Sequence, residues 1–85
     1  HADLVRKKYL YFADALRRHI QVDLDDEQDD TEHAHRIARK TGIEEDKIYR
    51  LLISLRRVLG DEKAYITEDL MKKYIDRINR IVSSI

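Results

Sequence analysis

Three groupings in this 85-residue chain carry side chains that could do chemistry. The first is the acidic run Asp23-Leu24-Asp25-Asp26-Glu27-Gln28-Asp29-Asp30, whose carboxylates invite a calcium reading. A calcium loop of the helix-loop-helix type needs glycine at its sixth position and a bidentate glutamate at its twelfth. Started at Asp23, the run offers Gln28 and Ala34 there; started at Asp25, Asp30 and Arg36; started at Asp26, Thr31 and Ile37. Every register fails, and the run reads as a solvated loop. The second grouping is His33 and His35. Two residues apart on a helix, they point to different faces and cannot share a metal as an i,i+4 pair can. They and His19 are expected at the surface. No metal and no cofactor is expected. No ordered nucleophile, base and acid can be assembled, and no glycine loop could cradle a phosphate, so the chain is expected not to be an enzyme.

The third grouping is residues 34–53, AHRIARKTGIEEDKIYRLLI. Ala38, Gly42, Ile43, Ile48 and Leu51 carry the spacing of a helix-turn-helix. In a DNA reader the second helix of that unit offers base and phosphate contacts from its first turn. Here Glu44, Glu45 and Asp46 occupy that turn. At about 7 Å from a phosphate, each acid costs roughly 0.6 kcal/mol at water dielectric, before screening. Arg36, Arg39, Lys40, Tyr49 and Arg50 would be the DNA contacts under that reading. The balance of charge favours a helix pair used for packing.

Positioning these residues requires helices. Val5, Tyr9, Phe12, Ala13, Leu16 and Ile20 fall on one stripe, which predicts a helix over 2–20 with Arg17, Arg18 and His19 in its last turn. An acidic loop follows over 21–30, containing Val22 and Leu24. Asp29 and Glu32 resemble a capping box for a second helix over 30–41, closed by Gly42. A third helix over 44–59 places Ile48, Leu51, Leu52, Leu55, Val58 and Leu59 inward, with Gly60 expected to end it as Gly42 ends the second. After a loop carrying Tyr65 and Ile66, Thr67 reads as the N-cap of a last helix over 67–84. Leu70, Tyr74, Ile78, Ile81 and Ile85 form its inner face, with Met71, Ile75 and Val82 beside them. The expected fold is all-α, a small four-helix orthogonal bundle containing a helix-turn-helix-like pair, as one domain over 1–85.

Composition agrees. With no Pro, two Gly and 40% charged residues, strands have little support. Cysteine is absent, which excludes disulfides and thiolate chemistry and fits an intracellular setting. No apolar run approaches a membrane span, and none reads as a signal peptide. The opening on His1 rather than Met suggests a piece of a longer protein, with His1 itself a tag remnant. Net charge is zero but unevenly spread: residues 21–32 hold seven acids and no base, whereas residues 33–60 hold seven bases against three acids. Five apolar residues fall off the core stripes: Leu4, Leu10 and Tyr11 in the first helix, Tyr49 and Ile53 in the third. They are the candidate contacts to a protein partner or a second copy.

At residues 4–24, LVRKKYLYFADALRRHIQVDL, the chain resembles a bacterial family of unknown function whose genes accompany MoxR-type ATPases. The resemblance rests on Arg6-Lys7-Lys8, Tyr11-Phe12, Arg17-Arg18 and Leu24-Asp25. It continues through Lys40-Thr41-Gly42-Ile43-Glu44-Glu45 and Ile66-Thr67-Glu68-Asp69-Leu70. It implies an address: the cytosolic tail of a larger membrane protein, on the cytoplasmic side of the inner membrane, meeting an ATPase or its own copies. The expected function is a non-catalytic protein-interaction module, and the competing one a DNA-binding domain.

Overall fold

In a computed structural model describing residues 1–85, four α-helices and one 3₁₀ turn account for all regular structure. The first helix, α1 (Ala2–Ile20), buries Val5, Phe12, Ala13, Leu16 and Ile20, and Ala15 beside them. Tyr9 stays half-buried at the edge of this stripe. The helix stops without glycine or proline. Gln21 adopts a left-handed conformation (φ 54°), and the N–H groups of Gln21 and Val22 both donate to the Leu16 carbonyl. Arg36, from the next helix, donates to the Ile20 and Gln21 carbonyls at 2.7 and 3.1 Å. A tertiary cation therefore neutralises the helix end that sequence would leave to Arg17 and Arg18.

Beyond Gln21 the acidic segment is less of a solvated loop than its composition implies. Val22 and Leu24 insert into the core, and Glu27–Asp29 winds into a 3₁₀ turn that leads directly into α2 (Asp30–Thr41). Asp29 makes no side-chain cap, so the expected capping box with Glu32 does not form. The preceding 3₁₀ turn leaves Asp29 with the wrong backbone for it (φ −107°, ψ 27°), and Asp30 turns inward instead. The other end of α2 closes as glycine allows: Gly42 takes φ 75° and its N–H donates to Ala38. The Thr41 hydroxyl donates back to Ile37 and accepts from the Ile43 N–H, which fixes the turn into α3 (Glu45–Gly60).

The third helix buries Ile48, Leu51, Leu52 and Leu55, with Val58 and Leu59 partly covered. Gly60 does not act like Gly42. It is the last helical residue, and Asp61 after it is extended (φ −113°), so the chain leaves α3 without a left-handed step. Ile66 anchors the following loop while Tyr65 beside it is 85% exposed. Thr67 caps α4 (Glu68–Ser84), its hydroxyl accepting from the Leu70 N–H at 3.2 Å. Met71, Tyr74, Ile78 and Ile81 form the buried face of α4; Leu70 and Ile85, expected there, are only partly covered.

Packing joins α2 chiefly to α3, and α1 chiefly to α4. The sandwiched side chains make one core in a molecule of 33 × 24 × 22 Å. Phe12, Leu16, Leu52, Leu55 and Ile78 are wholly buried, each contributing about 1.5–3 kcal/mol of transfer free energy. The all-α, four-helix architecture is the expected one. No helix is long and apolar enough to cross a membrane.

Candidate interaction site

The five apolar residues singled out from sequence lie in three places. Leu4 and Tyr11 share one side of α1, and between them Lys8 holds its ammonium 4.6 Å from the centre of the Tyr11 ring. Leu10, 67% exposed, is about 100° of helix rotation away from Tyr11 and stands alone. On α3, Tyr49 lines a shallow depression with Thr31, Ala34, Glu45 and Asp46, and Ile53, one turn further on, is half-buried.

The basic side of α1 is largely engaged with its own chain. Arg6 pairs with Asp3, Arg18 with Asp14, and Arg17 reaches Asp23 and Asp25 in the acidic segment at 3.7 and 3.3 Å. The helix-turn-helix contacts are divided as well. Arg36 is committed to the end of α1. Arg39 and Lys40 remain beside it, next to Ile20. Arg50 pairs with Asp46 at 3.1 Å. Glu45 accepts from His35 at 2.7 Å, tying the start of α3 to α2.

Sequence spacing misplaced one histidine and missed one cluster. His33 is buried rather than exposed, with Nε2 2.9 Å from the Asp26 carbonyl. Nearby, Arg56 of α3 forms a two-pronged pair with Asp30: Nε to Oδ2 at 2.6 Å and Nη2 to Oδ1 at 2.7 Å. The same Nη2 donates to the Leu24 carbonyl at 2.7 Å, and Nη1 approaches Glu27 at 3.5 Å. The Asp30 side chain is 7% exposed and that of Arg56 17%. The hydrogen bonds to Asp30 raise the Arg56 pKa despite the burial that opposes it. Burial also raises the Tyr9 hydroxyl above its usual value, with Arg56 pulling the other way. Every buried side-chain nitrogen and oxygen has a hydrogen-bond partner. The cluster locks the acidic segment onto α3 and engages three of the five Arg56 N–H groups in doing so.

A different arrangement occupies the space between α3 and α4. Each packs mainly on another helix, and a cleft of about 370 Å³ opens between them. Ile43, Ile48, Leu51 and Ile81 provide its apolar lining. Lys47 and Arg50 stand on the α3 wall, Arg77 and Arg80 on the α4 wall. Arg77 and Arg80 make no ion pair, whereas Lys47 and Arg50 are held only by exposed pairs to Glu44 and Asp46. Lys47 and Arg50 are three residues apart, as are Arg77 and Arg80, so each pair lies along one helix face. Of these four, sequence spacing singled out only Arg50. The local signal was two i,i+3 cation pairs, and nothing local says that they face one another.

No group of histidine and carboxylate side chains with the makings of a metal site is present. The arrangement can hold an anionic, partly apolar ligand by charge and contact. No curated protein and no solved structure matches the chain. The family model of the DUF4350 C-terminal helical domain matches residues 1–85, the full length of the sequence, and the chain belongs to that family.

Proposed function

We propose that the chain is a non-catalytic protein-interaction module, the cytosolic tail of a larger membrane protein, and that the α3–α4 cleft is where it docks. One observation carries the reading: Arg77 and Arg80 make no ion pair on the wall of an apolar-lined cleft, while the part-buried Arg56 is held by structural bonds to Asp30 and the Leu24 carbonyl. Charged groups left without internal partners around an apolar recess are available to another molecule. The membrane address rests on the resemblance carried by residues 4–24, 40–45 and 66–70. A protein partner or a second copy is favoured over duplex DNA. Arg36 is committed to capping α1, and Glu44 and Asp46 would face phosphates beside the Lys47 and Arg50 they accompany.

The test is partner capture by the full-length membrane protein, comparing the native sequence with Arg77→Glu/Arg80→Glu after cross-linking in membranes. The reading expects cross-linked species that vanish in the variant while its circular dichroism is unchanged. Identical cross-linking in both proteins, or submicromolar binding of duplex DNA that weakens steeply with salt, would overturn it.

A further inference from the structure

We infer that the cleft between α3 and α4 takes an acidic peptide segment that inserts one apolar side chain between flanking carboxylates. The inference rests on the interaction-module reading and adds the chemistry of the partner. Three features select it. The walls carry two cation pairs, Lys47 with Arg50 and Arg77 with Arg80, so negative charge is wanted on both sides of the centre. Arginine forks bind carboxylates through two parallel hydrogen bonds, and the long stems of all four residues add apolar wall beneath their charges. The centre is apolar: Ile43 is still partly open at its mouth, above Ile48, Leu51 and Ile81, whose surfaces are almost fully covered. A bare anion would satisfy the arginines and leave Ile43 wet; a neutral apolar segment would cover Ile43 and strand the arginines.

The shape separates this occupant from other polyanions. A recess receives a protruding side chain, whereas insertion into a lipid surface needs protruding apolar groups, and here those are Leu4, Leu10, Tyr11, Tyr49 and Tyr65, none of them in the cleft. A nucleic-acid backbone would run its charge past Glu44 and Asp46 at the start of α3. A short peptide brings only its few flanking carboxylates there rather than a continuous line of charge, and these can exchange with the two exposed acids for Lys47 and Arg50, because surface pairs of this kind are weak.

The experiment uses fluorescein-labelled synthetic peptides of Glu, Asp and Ala with a single central Leu, read by anisotropy against the 85-residue chain at low and moderate salt. One control peptide replaces Leu by Ala, and a second replaces the acids by Gln and Asn. Binding of the acidic Leu peptide is expected to fall about tenfold with Arg77→Gln/Arg80→Gln. It should weaken with added salt, and each control peptide should bind more weakly. In methyl NMR spectra the peptide should shift Ile43 and Ile81 and leave Ile20 and Leu24 in place. Equal binding by the Arg77→Gln/Arg80→Gln variant, shifts confined to other residues, or preference for duplex DNA or phosphatidylglycerol vesicles would overturn the inference. Cross-linking of a full-length partner that still depends on Arg77 and Arg80, with no peptide binding, would sink the acidic-segment chemistry alone and leave the docking site standing.

Discussion

Near the C-terminal end of α3, Arg56 gives three hydrogen bonds, to both Asp30 oxygens and the Leu24 carbonyl. Toward the N-terminal end of the same helix, Lys47 and Arg50 face Arg77 and Arg80 across open space, and the last two have no carboxylate partner. The same residue type thus does opposite work at the two ends. At one end the guanidinium is spent on holding an acidic segment against the core, where its partner Asp30 is 7% exposed. At the other end cations stay wet, cost little to keep, and remain available to a ligand. What distinguishes the two ends is whether the cation is bonded to covered acceptors of its own chain, not the identity of the residue.

The sharpest way to break that contrast is Asp30→Ala. It leaves the part-buried Arg56 with only the Leu24 carbonyl and the exposed Glu27, so unfolding free energy should fall by about 3 kcal/mol, read by urea denaturation. Arg56→Met with Asp30→Leu removes both charges and should recover much of the loss, since paired apolar replacement of a covered ion pair is often tolerated. Failure of Asp30→Ala to destabilise would mean the pair is as idle as the exposed ones.

Arg36→Ala comes next. It removes two charge-assisted bonds from the end of α1, and a loss of about 1 kcal/mol is expected in the same assay.

Asp29→Asn should act with the opposite sign. The Asp29 pKa is raised, first by its hydrogen bond with the Asp26 carboxyl and then by the Asp26 charge. A carboxyl whose folded pKa is raised contributes stability below its ordinary value and loses it as pH climbs through the raised one. The substitution should therefore raise the melting temperature at neutral pH, and the gain should disappear in acid below the ordinary carboxylate range. A gain that persists in acid would point to a cause other than proton sharing.

The smallest effect on stability belongs to the cleft. Arg77→Ala with Arg80→Ala should change unfolding free energy by no more than about 0.5 kcal/mol. A larger loss in thermal melts would place these arginines with Arg56 rather than opposite to it.

The helices were legible because helical periodicity is local: Phe12 and Leu16, Ile48 and Leu52, Tyr74 and Ile78 announce buried faces at i,i+4. Gly42 and Thr67 announced their caps for the same reason, each acting through its own backbone or hydroxyl. What stayed hidden depends on distance along the chain. Asp30 and Arg56 are 26 residues apart, and in a run of acids nothing marks Asp30 as the one that turns inward. Val22 and Leu24 have too few neighbours to show a period, yet both are buried. His33 is covered because its ring nitrogen meets a backbone carbonyl, an atom that has no sequence signature. Gln21 holds a left-handed cap without glycine because Arg36 and two N–H groups secure the same helix end. The cleft was the least legible feature, since its two walls come from helices that the chain connects only through the loop 61–67.

The pairing of α1 with α4 favours an order of assembly. The α2–α3 pair closes across a short turn, so its encounter costs little chain entropy, whereas α1 and α4 must meet across the whole intervening chain. During synthesis α1 leaves the ribosome before the other three helices, and the face bearing Val5, Phe12 and Leu16 is not fully covered until Met71, Tyr74, Ile78 and Ile81 have emerged. Of these four helices, the last to be made is therefore the main shelter of the first.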